Sequence, residues 1–501
     1  MTHYDNLEDA LDAPSSARSL KLNCRDLEGL PDEISALHEL ESLTLREVPD
    51  GFEIPTSIGR LSKLDTLSFG GPEDGSGTIP NALLELPITD LELRHVRIRE
   101  AFPWANQLEQ LRLSSYFIFD DITPLCTRFS ELRRLVVWGF FARNADGDVD
   151  QLRLPESIAN LQNLTELEIV SAGMTDLPDE VANLEHLTTV RLRNHAYETF
   201  PVVLTRLPNL ARLEFAQMKQ LDWFPDELAA MPRLRHLDVS SSWNGGDLPD
   251  SWSDREYERL PEVFGELDDL RSLTLDYCAL PDLEPLAPLA NLRSLSVDWG
   301  AFDDIEPLAE LRSLESLSLQ HSWIEDISPL AELPNLRSLD ISDSRVADLS
   351  PLAALENLAH LNIESSRADD APASALEPLL ELPALDDVVS WELEAHDWVR
   401  LRQQEPVDSA DLLDQLASDD LDDVRSAIRT VIDYSEARST TDMNALLGLF
   451  DLDATAFHSD EVVVFEPLDR ALERWAPELD SMDLARLAAA TFVSNYDGWR
   501  A

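Results

Sequence analysis

Residues 270–357 read LRSLTLDYCALPDLEPLAPLAN, LRSLSVDWGAFDDIEPLAELRS, LESLSLQHSWIEDISPLAELPN and LRSLDISDSRVADLSPLAALEN, which are four blocks of 22 residues without a remainder. Every block begins with L-x-x-L-x-L and continues through an apolar residue to D-L/I-x-P-L-A-x-L. A fixed period in this range is typical of a solenoid, in which each unit needs its neighbours to cover its apolar side chains. The L-x-L segment predicts a strand, and the proline before Leu-Ala predicts a tight helical turn on the outer side.

This pattern resembles the leucine-rich repeat, in particular the 22-residue repeats of the internalins, which read close to L-x-x-L-x-L-x-x-N-x-I-x-D-I-x-P-L-A. The resemblance implies an α/β fold. We expect a leucine-rich-repeat solenoid with a parallel β-sheet on the concave face and short helices or 3-10 turns on the convex face. One position departs from the family. Where its repeats place an asparagine that bonds neighbouring coils, this chain has Cys278, Gly300, Ser322, Ser344 and Ser366.

Further strands are predicted wherever the L-x-L spacing recurs on either side of this stretch. The predicted strands have the inward pairs Leu20/Leu22, Leu43/Leu45, Leu67/Phe69, Leu91/Leu93, Leu111/Leu113, Leu135/Val137, Leu167/Ile169, Val190/Leu192, Leu213/Phe215, Leu237/Val239, Leu273/Leu275, Leu295/Val297, Leu317/Leu319, Leu339/Ile341 and Leu361/Ile363, and Val388-Val389 is a candidate closing strand. Repeats before residue 270 carry outer segments such as LPDEISAL and IPTSIGRL, which are long enough for one or two helical turns.

The change of pattern along the chain predicts four segments. Residues 1–18 are expected to cap the open core with a short acidic helix or coil, and residues 19–390 to form a solenoid of about fifteen repeats. Residues 391–407 are interpreted as a linker or cap, and residues 408–501 as a small all-α domain, with caps such as Asp408-Ser409 before its helices. Within that domain, residues 415–433 resemble one half of a HEAT repeat.

The composition is strongly acidic, with 97 acids against 39 bases and a formal net charge of -58. Acid excess with few lysines is typical of proteins from salt-accumulating halophiles, although a GC-rich genome also favours arginine over lysine. Such a field disfavours nucleic acid and anionic membranes as partners and favours a basic protein. Three widely spaced cysteines, an acidic N-terminus and no long apolar run together predict a cytoplasmic protein without a disulfide framework.

Solvent-facing positions of the regular blocks define a candidate binding surface. Neighbouring strands lie about 4.8 Å apart, so residues at equal positions should form rows. One row is Tyr277, Trp299 and His321, and the adjacent row is Asp276, Asp298 and Gln320. Aromatic residues in such a setting are typical anchors of protein interfaces, although they could also pack under a loop or simply cover the sheet.

A second candidate region is a group of arginines that includes Arg191 and Arg193, together with Arg134 and Arg212. Two interpretations are open for it. The group could bind an anion or an acidic peptide, or it could form a ladder of ion pairs with Glu168 and Glu214 on adjacent strands, which is the stronger interpretation.

Three insertions, at residues 70–78, 138–152 and 240–258, all follow a strand and should emerge on one flank, which is often the binding side of a repeat array. The second and third contain Trp138 and Trp243, which we include among the candidate partner-binding residues. The acids from Asp146 to Asp150 alternate as in a calcium loop but lack its final glutamate, so no metal site is predicted.

Motifs for phosphate loops, dinucleotide binding, zinc proteases and serine hydrolases are absent from the sequence, and its histidines have no metal-ligand spacing. The sequence therefore predicts a non-enzymatic protein, without cofactors and monomeric, that binds a protein partner through the concave face and the aromatic insertion loops. An alternative is an inhibitor or immunity protein that neutralises a basic enzyme or toxin.

Overall fold

The computed structural model of the protein describes residues 2–72, 79–96, 107–115, 122–139, 152–171, 173–218, 224–231, 233–241, 260–278, 280–368, 379, 382–385 and 387–389. The chain divides into two compact units, residues 1–314 and residues 315–501. The predicted all-α domain at 408–501 and the linker at 391–407 lie outside the described residues.

The first unit is built on a parallel sheet whose strands pair in chain order. Its strands in the described residues are β1 (Thr2–Tyr4), β2 (Ala17–Asn23), β3 (Ser42–Arg46), β4 (Thr66–Gly70), β5 (Asp90–Arg94), β6 (Gln110–Ser115), β7 (Arg134–Gly139), β8 (Glu166–Val170), β9 (Thr189–Arg193), β10 (Arg212–Ala216), β11 (His236–Asp238), β12 (Ser272–Thr274) and β13 (Ser294–Ser296). Leucine lies opposite leucine from strand to strand, as in Leu43 with Leu67 and Leu273 with Leu295. This register confirms the predicted inward column.

The second unit consists of the same type of repeat. Its described strands are β14 (Ser316–Ser318), β15 (Ser338–Asp340), β16 (His360–Asn362) and β17 (Asp387–Val389). They are parallel and pair in chain order, with Leu317 opposite Leu339 and Leu361 opposite Val388. The first residue of each predicted pair lies on a strand; the second also lies on it up to β10 and directly follows it from β11 to β16. Val388 belongs to β17 at the position proposed for a closing strand.

The outer segments form 3-10 helices, in the longer repeats before residue 270 as well as in the regular blocks. In the first unit they are Asp32–Ala36, Thr56–Arg60, Asn81–Glu85, Glu156–Asn160, Asp179–Asn183, Val202–Arg206, Asp226–Ala230, Glu262–Glu266, Glu284–Leu286 and Glu306–Glu310, and in the second Ser328–Glu332 and Ser350–Ala354. In Asp32–Ala36, buried Ile34 is followed by buried Leu37 and Leu40 at intervals of three residues, which matches the three residues per turn of a 3-10 helix. An α-helical outer segment occurs at α2 (Thr123–Arg128).

The first residues contain a strand that the sequence does not suggest. β1 pairs in parallel with β2, and the helix α1 (Leu7–Asp12) follows it. Asn6 caps this helix, because its side-chain oxygen accepts a hydrogen bond from the Asp9 N–H at 2.8 Å. The segment therefore covers the first repeat with an added strand as well as a helix.

The core is a stack of apolar side chains contributed equally by successive repeats. In the repeat at 292–313 seven of them are at most 1% exposed, namely Leu292, Leu295, Val297, Phe302, Ile305, Leu308 and Leu311. Burying each contributes roughly 1.5–3 kcal/mol. The stack holds the strands in register, so it fixes which polar side chains lie side by side on the strand face.

The position of the family's asparagine is filled in several ways. His195, three residues after Leu192, links two repeats: its Nε2 lies 2.9 Å from the Ile169 carbonyl oxygen, and its Nδ1 accepts from the Met174 N–H at 3.3 Å. Ser322 donates to the Leu319 carbonyl at 2.7 Å. At Gly300 a Cβ atom would lie 2.0 Å from the buried Phe302 ring, so an asparagine does not fit there. Different local contacts thus take the place of the family's asparagine hydrogen bonds in different repeats.

Candidate partner-binding surfaces

The centre of the strand face in the first unit is a network of ion pairs, which we call the arginine ladder: Arg134, Arg191 and Arg193 with Glu166, Glu168 and Glu214. Arg191 on β9 contacts all three carboxylates, pairing with Glu166, with Glu168 at 3.8 Å and with Glu214 at 3.6 Å. Opposite charges alternate because β8, β9 and β10 place Glu168, Arg191 and Glu214 in register. The interpretation as a ladder of ion pairs is therefore confirmed for Arg134, Arg191 and Arg193, whereas Arg212 has no ion pair within the described residues.

The centre of the ladder is shielded from solvent, while Arg134 and Arg193 are partly exposed. Glu168 is 7% exposed, and it also accepts a hydrogen bond from the Trp138 indole Nε1 at 3.3 Å. Arg134 pairs with Glu166 at 3.3 Å and with Glu168 at 3.7 Å, and Arg193 pairs with Glu214. The hydrogen bond to Glu214 raises the pKa of Arg193 above its usual value. These arginines already have carboxylate partners within the chain, so an added anion would have to displace them.

Trp138 contacts the arginine ladder and is also exposed to solvent. It lies on β7 and, although its indole N–H binds Glu168, the residue is 47% exposed. An aromatic ring that is fixed at its polar end and open on its face is suited to contact a partner. The sequence placed Trp138 in an insertion, whereas the structure places it inside β7. Its hydrogen-bond partner was not evident from the sequence.

Tyr277 and Trp299 form what we call the aromatic edge, at the end of the strands β12 and β13. Their rings are stacked, with centroids 5.6 Å apart and an angle of 16° between the planes. Tyr277 is 41% exposed. Tyr277 and Trp299 are therefore neighbours in the first unit, as the repeat spacing predicts.

Both residues of the aromatic edge have a left-handed backbone, with φ of 58° at Tyr277 and 61° at Trp299. The same conformation recurs two residues after the second inward side chain of many strands, at Glu47, His95, Ser171, Asn194, Gln217, Ser241, His321, Asp343 and Ser365. Bulky residues adopt it at a cost of roughly 1–2 kcal/mol each, whereas Asn and Gly adopt it readily. Tyrosine and tryptophan are the bulkiest residues that this column contains.

Carboxylates border the aromatic edge on the strand face. Asp276 accepts hydrogen bonds from the Ser296 hydroxyl at 2.6 Å and from the Asp298 N–H at 3.0 Å. Asp238 on β11 is partly buried, and this burial, with smaller contributions from the nearby Glu214 and Asp276, raises its pKa, while hydrogen bonds from Ser240 act in the opposite direction. Asp238, Asp276 and Asp298 thus form an acidic strip beside the two rings.

In the second unit the corresponding positions are polar. His321 lies 3.3 Å from a carboxylate oxygen of Asp343, both at the left-handed position. Gln320 donates to Asp340 at 2.7 Å, and Asn362 donates to the same carboxylate at 2.9 Å. Gln320 and Asp340 therefore stabilise the strand face, and His321 lies in the second unit beside the carboxylate of Asp343.

One exposed pair in the second unit was missed by sequence analysis. The Arg345 guanidinium lies over the Trp323 ring, 5.6 Å from its centroid. Trp323 is followed at the same position of the next repeats by Arg345 and Arg367, and Arg367 approaches Glu325 at 3.5 Å. The signal is in the 22-residue blocks, since the column one residue beyond the asparagine position contains these three residues.

Several predicted features fall outside the described residues. They are Trp243 with its insertion, most of the insertions at 70–78 and 138–152, and the acids from Asp146 to Asp150. Among the residues that are described, no group of three or more His, Cys, Asp or Glu side chains has a geometry suited to a metal ion. Nor does the described part of the chain contain a helix that is both long and apolar enough to cross a membrane.

Comparison with known proteins found one family and several solved structures that are similar to this chain. Residues 147–375 match the family described as leucine-rich repeat region. A leucine-rich-repeat protein of Leptospira interrogans is similar in structure with a TM-score of 0.54 and 19% identity, over 78% of this chain and 100% of that one. An internalin of Listeria monocytogenes gives a TM-score of 0.37 and 18% identity, over 75% and 88%. A plant membrane receptor kinase ectodomain from Arabidopsis thaliana gives 0.42 and 16%, over 77% and 52%. No curated protein matches the sequence.

Proposed function

The chain is a leucine-rich-repeat protein, and we propose that it is a non-enzymatic binding protein whose partner is another protein. The observation that carries this proposal is the aromatic edge. Tyr277 and Trp299 stack on neighbouring repeats in the backbone conformation that bulky side chains adopt at a cost. Tyr277 is 41% exposed, so burial in the core does not offset that cost. A contribution to binding explains why these positions hold Tyr and Trp.

The surroundings of the aromatic edge favour a basic partner. The acidic strip of Asp238, Asp276 and Asp298 lies beside the rings, and the whole chain carries a net charge of -58. An arginine or lysine of the partner could place its cation over an aromatic face and its hydrogen bonds on a neighbouring carboxylate. Aromatic anchors flanked by charges of one sign give such an interface both affinity and a fast rate of association.

Site-specific crosslinking in the host cell tests this proposal. The photoreactive residue p-benzoylphenylalanine would replace Tyr277 in the full chain, and the same residue would replace Val202 in a control. Val202 is also exposed, at 40%, but belongs to an outer 3-10 helix. We expect a protein with a basic surface to be captured from position 277 and not from position 202.

The captured protein then allows an affinity measurement. We expect the double substitution Tyr277→Ala/Trp299→Ala to weaken its binding by about a hundredfold, because two interface anchors contribute about 3 kcal/mol together and each 1.4 kcal/mol is tenfold. Val202→Ala is the matched control and should leave the affinity unchanged. Equal binding by the wild-type chain and the double variant would refute the proposed role of the aromatic edge.

A second candidate function is that of an inhibitor or immunity protein that neutralises a basic enzyme or toxin. The observation that favours it is the excess of 97 acids over 39 bases, which provides strong attraction for such a target. An activity measurement distinguishes this second function from the first. If the captured partner has an enzymatic activity, addition of the wild-type chain should abolish it and the Tyr277→Ala/Trp299→Ala variant should not.

A further inference from the structure

A group of arginines lies at the opposite ends of the strands from the aromatic edge. We call it the arginine edge and define it as Arg212, Arg233, Arg235 and Arg271. Arg233, Arg235 and Arg271 precede the strands β11 and β12, and Arg212 is the first residue of β10. Since all strands are parallel, residues that precede them share one edge of the sheet and residues that follow them share the other. All four arginines are exposed.

The arginine edge differs from the arginine ladder in its partners. Within the described residues, none of its four guanidinium groups lies within 4 Å of a carboxylate, whereas Arg191 alone contacts three. The local field is positive. Burial lowers the pKa of His236, and the charges of Arg212, Arg271 and Arg235 lower it further. In a chain with so large an acid excess, adjacent arginines without carboxylate partners require an explanation.

A cleft of about 400 Å³ opens at this edge and is lined by His186, Thr188, Asn209, Ala211, Arg233 and Arg235. Its lining contains two guanidinium groups and no carboxylate. A second cleft, of about 140 Å³, is lined by Asp269, Arg271, Asn291, Arg293 and Ser313. The first cleft is therefore the stronger position for a negative charge, because Asp269 opposes one in the second.

The arrangement of these side chains indicates the shape of the ligand. His236 lies opposite Ser272, and Ser272 lies opposite Ser294, so Arg235, Arg271 and Arg293 occupy equal positions on consecutive strands. They follow one another at about 4.8 Å per strand. A row of donors in a line suits several carboxylates along an extended chain better than one compact anion. A nucleic acid would extend past this short row into the acidic surface of the same chain.

We propose that the arginine edge is a docking surface for an acidic, extended peptide segment of a partner protein. Arg233 and Arg235 would bind carboxylates in the larger cleft through paired N–H donors, and Arg271 would bind the next acidic residue along the row. The proposal is independent of the role of the aromatic edge, because the two surfaces lie at opposite ends of the strands and favour partners of opposite charge.

The test measures fluorescence anisotropy of a fluorescein-labelled peptide of eight glutamates with the full chain. The buffer should contain the lowest salt concentration at which the circular dichroism spectrum is that of the folded protein. We expect binding that weakens as salt rises, and a loss of about tenfold in affinity for Arg233→Gln/Arg235→Gln. Arg233→Lys/Arg235→Lys should retain part of the affinity, since the charge remains but the paired donors are lost.

The double substitution Arg46→Gln/Arg60→Gln is the matched control, because it removes the same charge from exposed residues elsewhere. It should bind the peptide like the wild-type chain. Equal losses in the two double variants would overturn the proposal, as would the absence of binding by the wild-type chain. Displacement of the peptide by equimolar pyrophosphate would also overturn it, because it would indicate a compact anion as the ligand.

Discussion

The arginine ladder and the arginine edge use the same residue type in opposite ways. In the ladder, Arg191 lies between Glu166, Glu168 and Glu214 on the face of the sheet, and its charge is compensated within the chain. At the edge, Arg235 and Arg271 lie next to one another in register, and the described residues provide no carboxylate partner for either. Whether an arginine stabilises the fold or remains available to a ligand therefore depends on the residues that lie opposite it on the neighbouring strands. Its presence in an acidic chain does not decide this.

The largest expected effect comes from the centre of the ladder. Arg191→Ala leaves three carboxylates close together, one of them on a residue only 7% exposed, without their shared cation. We expect the free energy of unfolding to fall by about 3 kcal/mol, at the lower end of the cost of breaking a buried pair because the site is partly solvated. Urea denaturation followed by circular dichroism measures it. A loss below about 0.5 kcal/mol would mean that ladder and edge do not differ.

A fall in pH tests the contribution of His195 to stability separately from that of the arginine ladder. Burial lowers the pKa of His195 to about 4, from an ordinary value of 6.5. The unfolded chain therefore takes up a proton below pH 6.5 while the folded chain does not until about pH 4, so this contribution to stability is present at neutral pH and is lost as pH falls. Between pH 7 and pH 5 we expect a loss of about 2 kcal/mol.

The matched variant for this measurement is His195→Asn, which places the family's own residue at the position. Its unfolding free energy should change little between pH 7 and pH 5, because the variant has no imidazole at position 195 that the unfolded chain could protonate. The same loss in the variant as in the wild-type chain would assign the acid sensitivity to the carboxylates instead.

The smallest effect on stability is expected at the arginine edge. Arg235→Gln should change the free energy of unfolding by at most about 0.5 kcal/mol in 0.1 M salt, since an exposed arginine without a close partner attracts the acidic chain only at long range. In 1 M salt, where the Debye length is about 3 Å, the change should vanish. Parallel urea titrations at the two salt concentrations measure it, and a loss as large as that of Arg191→Ala would contradict the distinction.

Salt should act on the whole chain in the same experiments. The net charge of -58 causes self-repulsion in the folded state, so wild-type stability should rise with salt concentration if the acidic composition is an adaptation to high salt. A free energy of unfolding that is the same at 0.1 M and 1 M would argue against that adaptation.

Much of the fold was predictable from the spacing of leucines. Leucine columns have a fixed period, and one-sided burial determines the register, so the pairing of Leu43 with Leu67 follows from sequence alone. The same register predicted the ladder, because Glu168, Arg191 and Glu214 occupy one column. β1 was not predictable, since Thr2–Tyr4 is too short to show a period.

The candidate surfaces were predictable only in part. Columns brought Tyr277 and Trp299 together, but the left-handed backbone that they share results from the turn after each strand and has no signature in their identity. His195 could have been found from its offset of three residues from Leu192, which is the family's asparagine position. Arg212 was recognised in the sequence, but Arg233, Arg235 and Arg271 were missed because they precede the strands, where neither a strand nor a turn pattern draws attention to side chains.

Hydrogen–deuterium exchange of the full chain, with and without the partner captured at position 277, tests the central claim most directly. We predict slower exchange of the amides in residues 272–277 and 294–299, which contain β12, β13 and the aromatic edge, and no change in the outer 3-10 helices Val202–Arg206 and Asp226–Ala230. Protection of those outer helices without protection of residues 272–277 and 294–299 would contradict the claim that the chain binds its partner through the strand face and the aromatic edge.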